Sequence, residues 1–268
     1  MPAPELNPTQ ARRSAHGIAP GDLPERIEAL LFDLDDTLID ARGAWRAGFA
    51  EAVAPFHAER DALRGLGSPE SIYDLHFRRY SEEAHAEGGN GEWSDDFTRR
   101  ACERLLAEHG GVDAAGAARL FEAYMAAWPK RLALFADAEA TLAAAAARYR
   151  LALVSNGPSK QQRDKVERFG LERWFETVVI SEEVGVRKPD RAIFALALET
   201  LGAGAAAAVH VGDHPEHDVR GALEAGLGAV WVNRGDWTSD REPAEAPLSR
   251  LCLEVADLRS AWGPLGLE

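Results

Sequence analysis

From Ile27 onward the chain alternates short, almost wholly apolar runs with longer stretches of helical periodicity, and this alternation narrows the possible folds more than any other feature. The runs are EALLFDL (28–34), YRLALVSN (149–156), TVVIS (177–181), AAVHVGD (207–213), GAVWVN (228–233) and LCLEV (251–255). A strand that is apolar on both faces suits a parallel sheet covered by helices on each side; a sheet with one wet face would alternate apolar and polar residues instead. Between the runs, DAEATLAAAAARY (137–149), KQQRDKVERFG (160–170), DRAIFALALETLG (190–202) and EHDVRGALEAGLG (216–228) read as helices, most of them closing on glycine. The expectation is an α/β fold with a doubly wound, open parallel sheet of Rossmann-like type.

One segment breaks the alternation. Between Ala41 and Trp128 no run resembles a strand, and the apolar residues fall at helical spacing: Trp45, Phe49, Val53 and Phe56, then Leu120, Tyr124 and Trp128. Residues 41–128 therefore read as an α-helical insertion, which leaves 27–40 and 129–268 as the α/β core. Between its helices the insert carries a polar, glycine-rich loop, EGGNGEW (87–93). The first 26 residues hold five prolines and no apolar stretch of the kind a secretory signal has, so they read as a flexible tail.

Charge and cysteine usage restrict the partners. Forty-four acidic residues against 30 basic ones give a net charge of −14, a field that repels nucleic acid and anionic membrane surfaces. No apolar run reaches the roughly 18 to 20 residues a spanning helix needs. Cys102 and Cys252 are the only cysteines and lack CxxC spacing, which argues against a disulfide framework or a thiolate zinc site and points to a reducing, cytoplasmic compartment.

In an open α/β sheet ligands bind outside the carboxyl ends of the strands. Four of those ends carry polar chemistry. The first strand runs into Asp33, Asp35, Asp36 and Thr37; the second into Ser155, Asn156 and Gly157; the third leads through SEEVGVRKPD to Lys188; the fourth ends in GDHPEHD, with Asp213 and Asp218. Carboxylates so close together repel one another and call for a positive partner. With no thiolate beside them they suit a hard, oxygen-preferring cation, and Mg2+ is the usual one. A phosphoryl group on such an ion would still present anionic oxygens, which Ser155, backbone N–H groups near Asn156, and Lys188 could hold. A carboxylate can attack phosphorus, and a second one two positions away could manage the proton of the leaving group.

Taken together, DLDDTL (33–38), SNG (155–157), RKPD (187–190) and GDHPEHD (212–218) resemble the four motifs of the haloacid dehalogenase (HAD) superfamily, over roughly Ile27 to Arg234. The helical insert sits where members with a helical C1 cap carry theirs. The resemblance implies a Mg2+-dependent phosphatase of a small phosphorylated metabolite. Asp33 is then the nucleophile and a metal ligand, and Asp35 the general acid and base, its backbone carbonyl also on the metal. Asp213 completes the protein ligands and Asp218 orients the metal site. Ser155, Asn156 and Lys188 bind the phosphate, Lys188 also neutralising Asp33, and Thr37 supports the turn. The cap acts as a lid, with hinges near Ile39 to Ala41 and Trp128 to Arg131. The 2-haloacid dehalogenases of the superfamily carry a non-acidic residue two positions after the nucleophile, so Asp35 favours phosphate-ester hydrolysis. His217 stands where many relatives have Asn.

Other readings of these residues exist. A phosphoglucomutase-like phosphotransferase shares the four motifs, and a binding module could keep the fold without turnover. His210, His214 and His217 could form a transition-metal site. SNG alone is an ordinary turn. In the insert His76, Arg78, Arg79, His85, Trp93, Arg99 and Arg100 could touch substrate, but an exposed helical face explains them equally well.

Overall fold

A computed structural model describes residues 23–80, 95–109, 114–235 and 252–268. The tail up to residue 22, the loop at 87–93 with His85 and Trp93, and Leu251 at the head of the last apolar run lie outside them. Six strands form one parallel sheet: β1 (Ala29–Phe32), β2 (Arg150–Ser155), β3 (Thr177–Ile180), β4 (Ala208–Gly212), β5 (Gly228–Val232) and β6 (Leu253–Val255). The long helices, in chain order, are α1 (Ala41–Glu59), α2 (Asp95–His109), α3 (Ala114–Arg131), α4 (Ala138–Ala146), α5 (Ser159–Arg168) and α6 (Arg191–Leu201). The chain divides into two compact units, one comprising residues 1–39 and 134–268, the other residues 40–133.

In the α/β unit the sheet order is β3-β2-β1-β4-β5-β6. The α/β fold with a doubly wound, Rossmann-like parallel sheet is what the apolar runs called for: every residue of β1, β4 and β5 is buried. One face of the sheet packs Leu31, Val154 and Trp231 against Phe194, Ala197 and Leu201 of α6. Burial of each large apolar side chain of this kind stabilises by roughly 1.5–3 kcal/mol. The winding reverses between β1 and β4, since β2 and β3 lie on one side of β1 while β4 to β6 lie on the other. That reversal leaves a crevice beyond the carboxyl ends of β1 and β4.

One element departs from its sequence reading. The helix expected from residue 216 opens as a π-helical segment, Pro215–Arg220, before a single α-turn, Gly221–Glu224. Its geometry follows from His214, whose ring Nδ1 accepts from the backbone N–H groups of Glu216 and His217, both at 3.2 Å. The His214 carbonyl meanwhile accepts from both Asp218 and Val219. The i→i+5 bond from Val219 makes this turn π-helical, and no apolar periodicity announces it.

The unit of residues 40–133 holds helices joined by turns, with no strand among its described residues. Asp40 caps α1, its carboxylate accepting from Gly43 N–H at 2.8 Å. The apolar positions read at helical spacing meet in an aromatic core. Phe49 of α1 lies 5.6 Å from Tyr124 of α3 and 4.6 Å from Phe77, ring centre to ring centre, and Trp45 lies 6.5 Å from Trp128. No helix among the described residues is long and apolar enough to cross a membrane.

Candidate active site

The turn after β1 sets the geometry of the acids. Asp33 follows the strand directly, its N–H donating to Val211 of β4 at 2.9 Å. The chain then folds back, with Leu38 and Ile39 both donating to the Leu34 carbonyl and Asp36 donating to Ile39. Asp36 takes a left-handed conformation, φ +61°, which aspartate tolerates better than most residues. The turn separates the fates of the three acids: Asp33 enters the crevice, Asp36 shapes the backbone, and Asp35 turns toward α5.

Asp33, Asp213 and Asp218 converge. One carboxylate oxygen from each lies within 4.8 Å of the others, and all three residues are buried. Lys188, 2% exposed, bridges two of them: its ammonium donates to Asp33 Oδ1 and, at 2.6 Å, to Asp218 Oδ1. Asp218 is further held by His210 Nε2 at 2.9 Å and by the His214 N–H, which donates to Oδ2 at 2.9 Å. Both Asp218 oxygens are therefore committed to the protein. Asp213, at the end of β4, is fixed through its backbone, the carbonyl accepting from Trp231 Nε1 at 2.8 Å.

Burial and charge set the protonation of this group. Burial pushes Asp33 up to about 7, against the pull of Lys188 and with Asp218 and Asp35 pushing the same way. Burial acts to raise Asp218 as well, but Lys188 and His210 outweigh it and hold the carboxyl far below the usual range. Desolvation would lower Lys188; Asp218 and Asp33 overcome it and keep the ammonium charged. His210 is pushed down by its burial. A carboxyl held above its ordinary value in an acidic cluster wants a cation. Carboxylate oxygens without thiolate or imidazole donors suit a hard one, so the residues present fit a bound divalent ion on Asp33 and Asp213.

The remaining sequence candidates are placed as follows. Ser155 is buried at the end of β2, its hydroxyl 3.5 Å from the Asn156 carbonyl. The Asn156 side chain is turned to the backbone of Lys188, accepting from its N–H at 2.9 Å and donating to its carbonyl at 3.0 Å. It thereby fixes the segment from which the lysine projects. Thr37 is fully buried and its carbonyl accepts from Arg234 at 3.4 Å. The three histidines do not make a metal site: His210 faces Asp218, whereas His214 and His217 stack ring on ring at 3.9 Å, and the metal-compatible group among the described residues is the three aspartates.

Sequence reasoning missed two residues here. Gln162 and Lys165 of α5 are each 2% exposed and both reach the Asp35 carboxylate. The available signal was positional, because both share the helix face of Val166, the side that must turn inward.

Fold and site define an α/β class in which aspartates gather beyond the carboxyl ends of a parallel sheet. The chain belongs to the haloacid dehalogenase-like hydrolase family, whose sequence model matches residues 27–226. It is 37% identical over 262 residues to the phosphoserine phosphatase of Thermus thermophilus, across 88% of this chain and 98% of that one. Among solved structures it resembles the HAD-hydrolase YfnB of Bacillus subtilis, crystallised with magnesium (23% identity, TM-score 0.67, 90% of this chain and 99% of that one). It also resembles a 2-haloacid dehalogenase from Pseudomonas syringae (29% identity, TM-score 0.56, 90% and 98%).

Proposed function

We propose that the protein is a Mg2+-dependent phosphatase of small phosphomonoesters that works through an aspartyl-phosphate on Asp33. The observation that carries this reading is the pair of strand-end acids with separate cations: Lys188 against Asp33, Lys165 against Asp35. Asp33 attacks phosphorus, the ester P–O bond breaks, and the proton on Asp35 passes to the departing alcohol oxygen. Water then attacks the aspartyl-phosphate, giving its proton to Asp35 as the bond to Asp33 breaks and inorganic phosphate leaves. Lys188 neutralises the nucleophile, Asn156 fixes the lysine's backbone, and Ser155 holds a phosphate oxygen. Asp33, Asp213 and the Asp35 carbonyl would hold the ion, which when bound would supply charge neutralisation for the phosphoryl oxygens. Asp218 orients Lys188 and the loop of Asp213, and Thr37 backs the turn. In this reading 27–40 and 129–268 are the catalytic core and 41–128 is the cap that discriminates among leaving groups. The name of the Thermus relative supports a phosphorylated metabolite as substrate.

The dehalogenase relative favours a second reading, halide displacement by the same Asp33. Asp35 argues against it, since displacing a halide leaves no alkoxide for a general acid to protonate. Two measurements decide. Phosphate release over some tens of phosphorylated metabolites, with and without Mg2+, is expected to give a metal-dependent hit that Asp33→Asn abolishes. Halide release from 2-chloropropionate with no phosphate release from any ester reverses the assignment.

A further inference from the structure

We propose that Gln162 and Lys165 are positioning residues for Asp35, a clamp from α5 that fixes which of its oxygens handles the proton; the inference rests on the phosphatase reading. A lysine and a glutamine on the inward face of a helix are costly to bury, and hydrophobic residues would pack there more favourably. Both instead reach one carboxylate. The Lys165 ammonium lies 2.8 Å from Asp35 Oδ1 and 2.6 Å from Oδ2. Gln162 Nε2 donates to Oδ2 at 3.0 Å and to the Asn156 carbonyl at 2.9 Å. Two acceptors around that nitrogen fix the orientation of the amide. The amide is thereby turned with its nitrogen toward Asp35 and Asn156.

The backbone accommodates the clamp. At Gly157, φ +141°, an added Cβ would stand 2.5 Å from Gln162 Nε2, so any side chain there would displace the amide. The SNG turn is therefore shaped by the residue five positions on as well as by its own conformation.

Oδ2 of Asp35 receives two donors and Oδ1 one, so Oδ1 is the less encumbered of the two. The clamp holds that oxygen in a single orientation. Positioning of this kind matters in proportion to how much the leaving group needs a proton. Phenolate, being the more basic, needs one more than p-nitrophenolate does.

The test compares kcat/KM, which reports the steps through phosphoenzyme formation, for phenyl phosphate and p-nitrophenyl phosphate with Mg2+. Lys165→Met is expected to lower the value for phenyl phosphate by about 10- to 100-fold and that for p-nitrophenyl phosphate by about 3-fold or less. Lys165→Arg is expected to restore most of the difference. Gln162→Leu, which introduces no buried charge imbalance, is expected to give a smaller change of the same pattern and serves if Lys165→Met does not fold. Equal losses on both esters, or none, overturn the positioning role while leaving the phosphatase reading intact. A wild-type enzyme that releases no phosphate from either ester overturns both.

Discussion

Lys188 is the residue on which the buried charges balance. It stands between Asp33 and Asp218 with 2% exposure, and both carboxylates are buried beside it. Replacement by methionine keeps the volume and removes the charge, leaving two buried carboxyls without the cation they share. Breaking a buried pair this way costs about 3–5 kcal/mol. Lys188→Met is therefore expected to lose that much in urea unfolding of the metal-free protein. Adding Asp218→Asn should return part of it, because only Asp33 is then uncompensated. A single-variant loss under about 1 kcal/mol would show that the pair contributes only what an exposed pair does. The same scale shows where sequence reasoning succeeds and stops. Asp33, Ser155 and Asp213 were legible because they end or follow apolar strands, where a polar residue needs a reason, and Lys188 through the RKPD motif it belongs to. Lys165 and Gln162 were not, because α5 is polar along most of its length, and a lysine among polar neighbours looks solvated until its partner, 130 residues away, is known.

Among the elements, the packing of α1 against α3 depends on one small residue. A Cβ added at Gly48 would lie 2.5 Å from the Cα of Trp128 and 2.6 Å from its backbone nitrogen. The obstacle is backbone, which cannot swing away as the end of a side chain can. Gly48→Ala thus has to separate the two helices and loosen the Trp45–Trp128 and Phe49–Tyr124 contacts. Overpacking of this sort costs about 1–3 kcal/mol, more than the gain in helix propensity that alanine brings. The expected outcome is a lower Tm with altered near-ultraviolet circular dichroism from the aromatic core; an unchanged or higher Tm would contradict the close approach. Helical periodicity announced both helices, and in the structure their apolar stripes face each other. The contact itself was not readable, since a glycine within a helix looks like a weakness until the opposing backbone is seen. The π-helical opening after Asp213 was hidden for a related reason: it rests on hydrogen bonds accepted by the ring Nδ1 and the carbonyl of His214, not on a pattern.

On the scale of the whole molecule, the insertion leaves and re-enters the α/β unit at a point the core already closes. Ile39 and Leu134 form an antiparallel bridge, and Phe135 N–H donates to the Leu38 carbonyl at 3.0 Å. The two ends of the discontinuous unit are hydrogen-bonded to each other independently of what lies between them. Loop-closure entropy changes by only about 0.6 kcal/mol for each doubling of loop length, so the length of the connection has little influence on core stability. The sheet, its helices, the Lys188 bridge and the Lys165 clamp are all built from residues before 40 or after 133. A chain in which residues 40–133 give way to a short Gly-Ser turn is therefore expected to keep the parallel sheet and a cooperative thermal transition. It is also expected to keep Mg2+-dependent turnover of p-nitrophenyl phosphate while losing preference among alkyl phosphates. A non-cooperative melt would show that the α/β unit needs the helical one to fold. A cooperative melt with wild-type substrate preference would show instead that discrimination resides in the core, in the loops that carry Asp33 and Asp213.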